Sequence, residues 1–195
     1  MRESITLDST RLQRLQQTPL WDFALALYAK PGVEAACLTL QEEAELDVCE
    51  VIFHCWLYTC GLEAEPAALA RQREQRRRWQ CHVTTVLRGL RRDLKASAAS
   101  SESVARLRET IKQAELMAER ENLQRWQAWV WEASSVDLPV RNITEMPLDS
   151  AKWLRKQLLY ATTDPPASAA LKSQTASLQA LQTLTLQLDP HQGAR

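Results

Sequence analysis

The sequence predicts an all-α fold, an irregular bundle of about five main helices with a loosely attached helical C-terminal tail. Apolar residues recur at steps of three and four through most of the first 133 positions. Only 4 glycines in 195 residues are too few for a turn-rich sandwich or barrel, or for a fold built on a glycine-rich phosphate loop. Prolines and capping residues stand where helices would begin or end. A hydrophobic share of 45% and a charged share of 25% fit one globular domain with an appendage.

Residues 1–17 read as a polar arm or short helix. Thr18-Pro19 starts the first main helix, a capping hydroxyl followed by proline at the first helical position, and Pro31-Gly32 stops it. The second runs from Val33 to Glu43, with Val33, Ala36, Cys37 and Leu40 on one face. Asp47 caps the third, which ends at Cys60 before a left-handed Gly61. That helix is apolar nearly all round, so it should be the buried axis of the fold.

Pro66 opens a long helical region to about Lys95, with a bend near Arg76. Trp79, Val83, Val86, Leu87, Leu90 and Leu94 form its inward stripe. The Ala/Ser run 96–101 is a loop, and Ser101 or Ser103 caps the last main helix. Val104, Leu107, Ile111 and Ala114 give that helix its stripe, which slips near Leu116 and resumes at Leu123, Trp126 and Val130. The domain reading is therefore an arm over 1–17, a core over 18–133, a linker over 134–148 and a helical, partly disordered tail over 149–195. Trp153, Leu154, Leu158 and Tyr160 mark a short helix in that tail.

The start of the chain lacks the apolar core of a signal peptide, and Val51 to Tyr58 is far short of the roughly 20 residues that span a bilayer. Five cysteines, Cys37, Cys49, Cys55, Cys60 and Cys81, fit reduced core thiols. The expected location is the cytoplasm. Cys49 and Cys60 share a helical face but lie about 16 Å apart along the axis, too far for one zinc ion or a disulfide. The expectation is no metal and no cofactor. Among the thiols only Cys81, beside His82 and among arginines, has the setting of a reactive one.

The pattern Leu20-Trp21-Asp22-Phe23-Ala24-Leu25, then Tyr28-Ala29-Lys30-Pro31-Gly32-Val33 and Ala36-Cys37-Leu38, resembles a small uncharacterised family of gammaproteobacterial cytoplasmic proteins, a domain of unknown function. Leu46-Asp47-Val48, Cys55-Trp56-Leu57, Leu87-Arg88-Gly89-Leu90-Arg91-Arg92 and Ala114-Glu115-Leu116 extend the resemblance over about residues 18–125. It implies no activity and no functional residues. It does imply a gene neighbourhood that includes a soluble ABC-type ATPase, and so one candidate protein partner.

Charge is balanced, 24 basic against 24 acidic residues, yet segregated. Residues 31–60 carry acids and no base, whereas 71–95 are rich in arginine. On a helical wheel Arg77, Arg88, Arg91, Arg92 and Lys95 fall opposite the apolar stripe, so the helix should be apolar inside and basic outside. The leading functional expectation is a non-enzymatic interaction or regulatory protein that docks a partner through this face, with Trp131 as a further contact because it points away from Trp126 and Trp129. Against it stands a solvated arginine face, or one paired with the chain's own acids. The alternative is an enzyme of unrecognised type using Cys81 or the Glu115/Glu119 carboxylate pair, against which stands plain pairing of those carboxylates with Lys112, Arg120 or an arginine of another helix. A phosphate- or RNA-binding module is the third reading, disfavoured by the neutral net charge and by the lack of interleaved aromatics.

Overall fold

A computed structural model describes residues 9–132, 139–159, 171 and 175–188. Its elements are α1 (Ser9–Gln17), α2 (Leu20–Tyr28), α3 (Val33–Glu43), α4 (Val48–Thr59), β1 (Leu62–Ala64), α5 (Pro66–Trp79), a π-helical turn (Gln80–Thr84), α6 (Thr85–Asp93), α7 (Lys95–Ala98), α8 (Glu102–Trp131), β2 (Val140–Asn142), α9 (Ser150–Leu159) and α10 (Thr175–Leu186). The all-α class stands, with one small antiparallel ladder in which Leu62 faces Asn142 and Ala64 faces Val140.

Helix α4 is the axis because it has a core on each side. Val51, Cys55 and Tyr58 join one cluster with α3, α9 and α10. Ile52, Phe53, Trp56 and Leu57 join a second with α2, Leu15, Leu69 and the C-terminal half of α8. The axis is closed as the sequence requires. Asp47 Oδ1 accepts from the Cys49 amide at 2.9 Å, and Gly61 ends the segment with φ 70°. The aromatic centre is Phe53 stacked on Trp126 at 4.6 Å, with Trp129 at 5.9 Å from Phe53.

Several expectations are corrected. The tail is not loosely attached: Leu154, Leu158, Leu171, Leu181 and Leu184 are buried and complete the first core cluster. Their spacing drifts round the helical wheel because α10 is pressed between α3 and α9, which buries more than one stripe. The segment 134–148 is not only a linker, since Val140–Asn142 pairs with β1, and Glu63 of β1 accepts from Trp153 Nε1 at 3.2 Å and Gln157 Nε2 at 2.9 Å. Thr18 does not cap α2; the Leu20 amide is met by Gln127 Oε1 at 2.6 Å, and the Thr18 carbonyl accepts from Trp56 Nε1. The break in the long helical region falls at Gln80–Thr84 rather than Arg76, and 95–98 forms one helical turn rather than loop. Residues 1–8, Tyr160 and the expected disordered end beyond 188 lie outside the described residues.

Candidate functional site

The acidic segment and the arginine segment meet. Helices α3 and α4 supply one wall of a cleft of about 990 Å³, carrying Glu42, Glu45, Asp47 and Glu50. Helices α5 and α6, with the π turn between them, supply the other, carrying Arg73, Arg76, Arg77, Arg88 and Arg92. A π turn adds a residue to the helix and is frequent at functional sites. Here it holds Gln80 and Cys81 at the cleft.

Most of this charge is answered within the chain. Arg73 Nε donates to both oxygens of the buried Glu50, at 2.8 and 3.0 Å, and the buried His54 Nε2 lies 3.5 Å from Glu50 Oε1. Burial alone would raise the Glu50 carboxyl, but Arg73 and His54 outweigh it and hold it at about 2. Arg92 pairs with Glu42, and Arg77 with Glu74. Asp47 has no such cation pair among the described residues: burial raises it to about 6, Glu50 adds to the rise, and bonds from the Cys49 amide and Asn122 Nδ2 only partly oppose it.

The arginine face of α6 is the main correction. Arg88 and Arg91 do not face outward. Arg88 donates to Glu115 and Glu119, both at 2.8 Å, and Arg91 Nε donates to Glu115 Oε2. With its amide turned, Gln41 also accepts from Arg88 Nη1 at 2.7 Å. The Arg88 side chain is only 12% exposed and that of Glu115 only 8%. Burial would lift Glu115, but the Arg91 and Arg88 hydrogen bonds hold it below its ordinary value; Glu119, sharing Arg88, is pushed up by burial. The pull of this network rotates α6, so part of the expected inward stripe faces water: Val86 is 51% and Leu90 48% exposed. Lys95 is exposed at the start of α7.

The other candidates separate. Trp131 is 44% exposed, whereas Trp126 is buried and Trp153 packs on Tyr58 at 4.9 Å, apart from the Trp126/Trp129 group. Cys37, Cys49, Cys55 and Cys60 are buried, and burial raises their thiols, which makes them poor nucleophiles. Cys81 is exposed at the cleft. Among the described residues no three His, Cys, Asp or Glu side chains are grouped to hold a metal ion. No single described helix is long and apolar enough to cross a membrane. Sequence reasoning missed Asp47 and Glu50 as members of a cleft with Arg73 and Arg76. Their one signal was the acid-only run followed by the arginine-rich one.

A family model described as a protein of unknown function (DUF2390) matches residues 19–126, the span that supplies the charged walls of the cleft and most of α8. The chain belongs to that family. No curated protein and no solved structure matches it.

Proposed function

We propose that this DUF2390 member is a non-enzymatic cytoplasmic interaction protein that docks a partner protein on the outward side of helix α6. The observation that carries the reading is the reversed amphipathicity of α6. Arg88 and Arg91 turn in to Glu115 and Glu119, while Val86 and Leu90 stand half exposed one turn apart. Apolar side chains held outward on an ordered helix suit a partner helix or groove. Arg92 is tied to Glu42 at the cleft, so of the basic face expected from the sequence only Lys95, exposed at the start of α7, is left for a partner whose apolar patch has an acidic border. A second copy of the chain would bring the same exposed Lys95 to the contact. A soluble ABC-type ATPase is the first partner to try, and Trp131 offers a second contact.

A catalytic role for Glu115 and Glu119 has little support, because arginines occupy both carboxylates. A phosphate- or RNA-binding role through Arg88 and Arg91 is weakened by the same pairs. The test is binding of the purified ATPase by wild type and by the Val86→Ser/Leu90→Ser variant. The expected result is loss of the complex with the fold retained, and added salt should weaken the wild-type complex. A complex that survives the double substitution overturns the reading, as does dimerisation of the chain through these residues.

A further inference from the structure

Once the ion pairs are set aside, the cleft keeps Arg76 on its basic wall and Glu45 and Asp47 on its acidic one. Arg76 lines the cleft, and its Nε and Nη1 are buried with no acceptor among the described residues. Burial and the neighbouring Arg125 both press against its charge, and only Asp47 and Glu121 favour it. One turn further on, Gln80 also lines the cleft, and its Oε1 is buried without a donor among the described residues. Opposite, Glu45 has φ 52°, the one positive value at a non-glycine position among the described residues, and its carboxylate makes no ion pair there. Such outliers concentrate at binding sites, where surrounding structure holds them.

A cation short of an acceptor, with an amide oxygen short of donors beside it and carboxylates across the cleft, complements a molecule that carries both charges. We propose that the cleft binds a small zwitterion of the amino-acid class, with its carboxylate on Arg76 and its ammonium received by Glu45, Asp47 and the Gln80 amide oxygen. A simple anion would answer Arg76 but meet two carboxylates across the cleft. A simple cation would leave Arg76 as it is. A metal ion lacks a ligand set among the described residues. The volume of about 990 Å³ lies at the upper end of small-molecule pockets, roughly 300–1,000 Å³, so a free amino acid with its side chain or a dipeptide fits. This site is independent of the docking face, which lies on the other side of α6.

Titration calorimetry of the full chain against the common amino acids and dipeptides, one at a time, tests the assignment. At least one should bind saturably. Its N-acetyl form, without the ammonium, and its amide, without the carboxylate, should each bind about tenfold more weakly or worse. Arg76→Gln and, separately, Gln80→Leu should each cost a similar factor, while Lys95→Gln and Val86→Ser/Leu90→Ser bind as wild type. Should Arg76→Gln fail to fold, Gln80→Leu and the matched ligands decide the matter. Absence of saturable binding into the millimolar range overturns the proposal. So does equal binding of the parent and its N-acetyl form (an anion site only), or of the parent and its amide (a cation site only).

Discussion

Arg88 of α6 and Glu115 of α8 meet at 2.8 Å with both side chains nearly closed off from solvent, so a residue read as outer surface is a buried tie between two helices. The consequence for stability is direct. Losing one partner of a buried ion pair leaves the other's charge uncompensated, at a cost of about 3–5 kcal/mol. Arg88→Gln should therefore destabilise the fold by roughly 3 kcal/mol, whereas Lys95→Gln, at an exposed position, should stay within about 0.5 kcal/mol. Urea midpoints at constant slope measure both. Equal, small shifts for the two variants would return Arg88 to the solvated surface.

The tail prediction follows from the first core cluster. Leu184 is fully buried against α3, and Leu→Ala at such sites costs about 2–5 kcal/mol. Leu184→Ala should lose that amount, and deletion of 165–195 should abolish cooperative melting, because it removes α10 from between α3 and α9. A truncated chain that still melts cooperatively with its tryptophan near-ultraviolet signal intact would show that α10 is dispensable.

Gly32 couples the first helical turn of α3 to the same tail. Its φ is 79°, and an added Cβ would sit 3.1 Å from Thr183 Cγ2 of α10. Gly32→Ala should cost about 1–2 kcal/mol from the left-handed backbone alone, with a further loss from the contact. Adding Thr183→Ser removes the contacting methyl, so the double variant should recover the second part and not the first. Full recovery would mean that the backbone tolerates alanine there.

What the sequence made legible were features written within one element. The Asp47 cap, the Gly61 stop, the Ser101 cap of α8 and the all-round burial of α4 each rest on residues within a few positions of one another. That Glu115 and Glu119 need a cation was legible too, since a lone i, i+4 carboxylate pair on a helix asks for one, but not that Arg88 and Arg91 of another helix supply it rather than Lys112 or Arg120 of the same one. What was not legible depended on who faces whom. The wheel of α6 separates arginines from apolar residues correctly but cannot say which side meets α8, and the buried carboxylates there outbid Val86 and Leu90. The leucines of α10 lack a single stripe because two neighbours cover them, and β1 and β2 are three residues each, too short to show alternation. Asp47 looked like a cap and nothing more, because its second role depends on the arginine wall folding over it.

That second role has a measurable signature in pH. Asp47 titrates near 6 in the folded chain, against 3.8 for an ordinary aspartate, with burial as the first cause and Glu50 and Glu119 as like-charged neighbours; Arg76 is the cation in electrostatic reach. The folded state thus holds the Asp47 proton more tightly than the unfolded state does. Its stabilising contribution is complete below about pH 4 and is lost as pH rises through 6, above which the fold carries a buried, ionised carboxylate. A shift of this size corresponds to at most about 3 kcal/mol. Asp47→Asn removes the charge and keeps a capping oxygen for the Cys49 amide, since asparagine caps helices as well as aspartate. Asn122, whose Oδ1 has no donor in the wild type, can turn its amide to accept from the new side chain. The variant should therefore match wild type near pH 4 and become more stable by about 1–3 kcal/mol above pH 6.5, measured as urea midpoints across that range. A stability difference that does not change between pH 4 and pH 7 would mean that Asp47 ionises like an ordinary surface carboxylate.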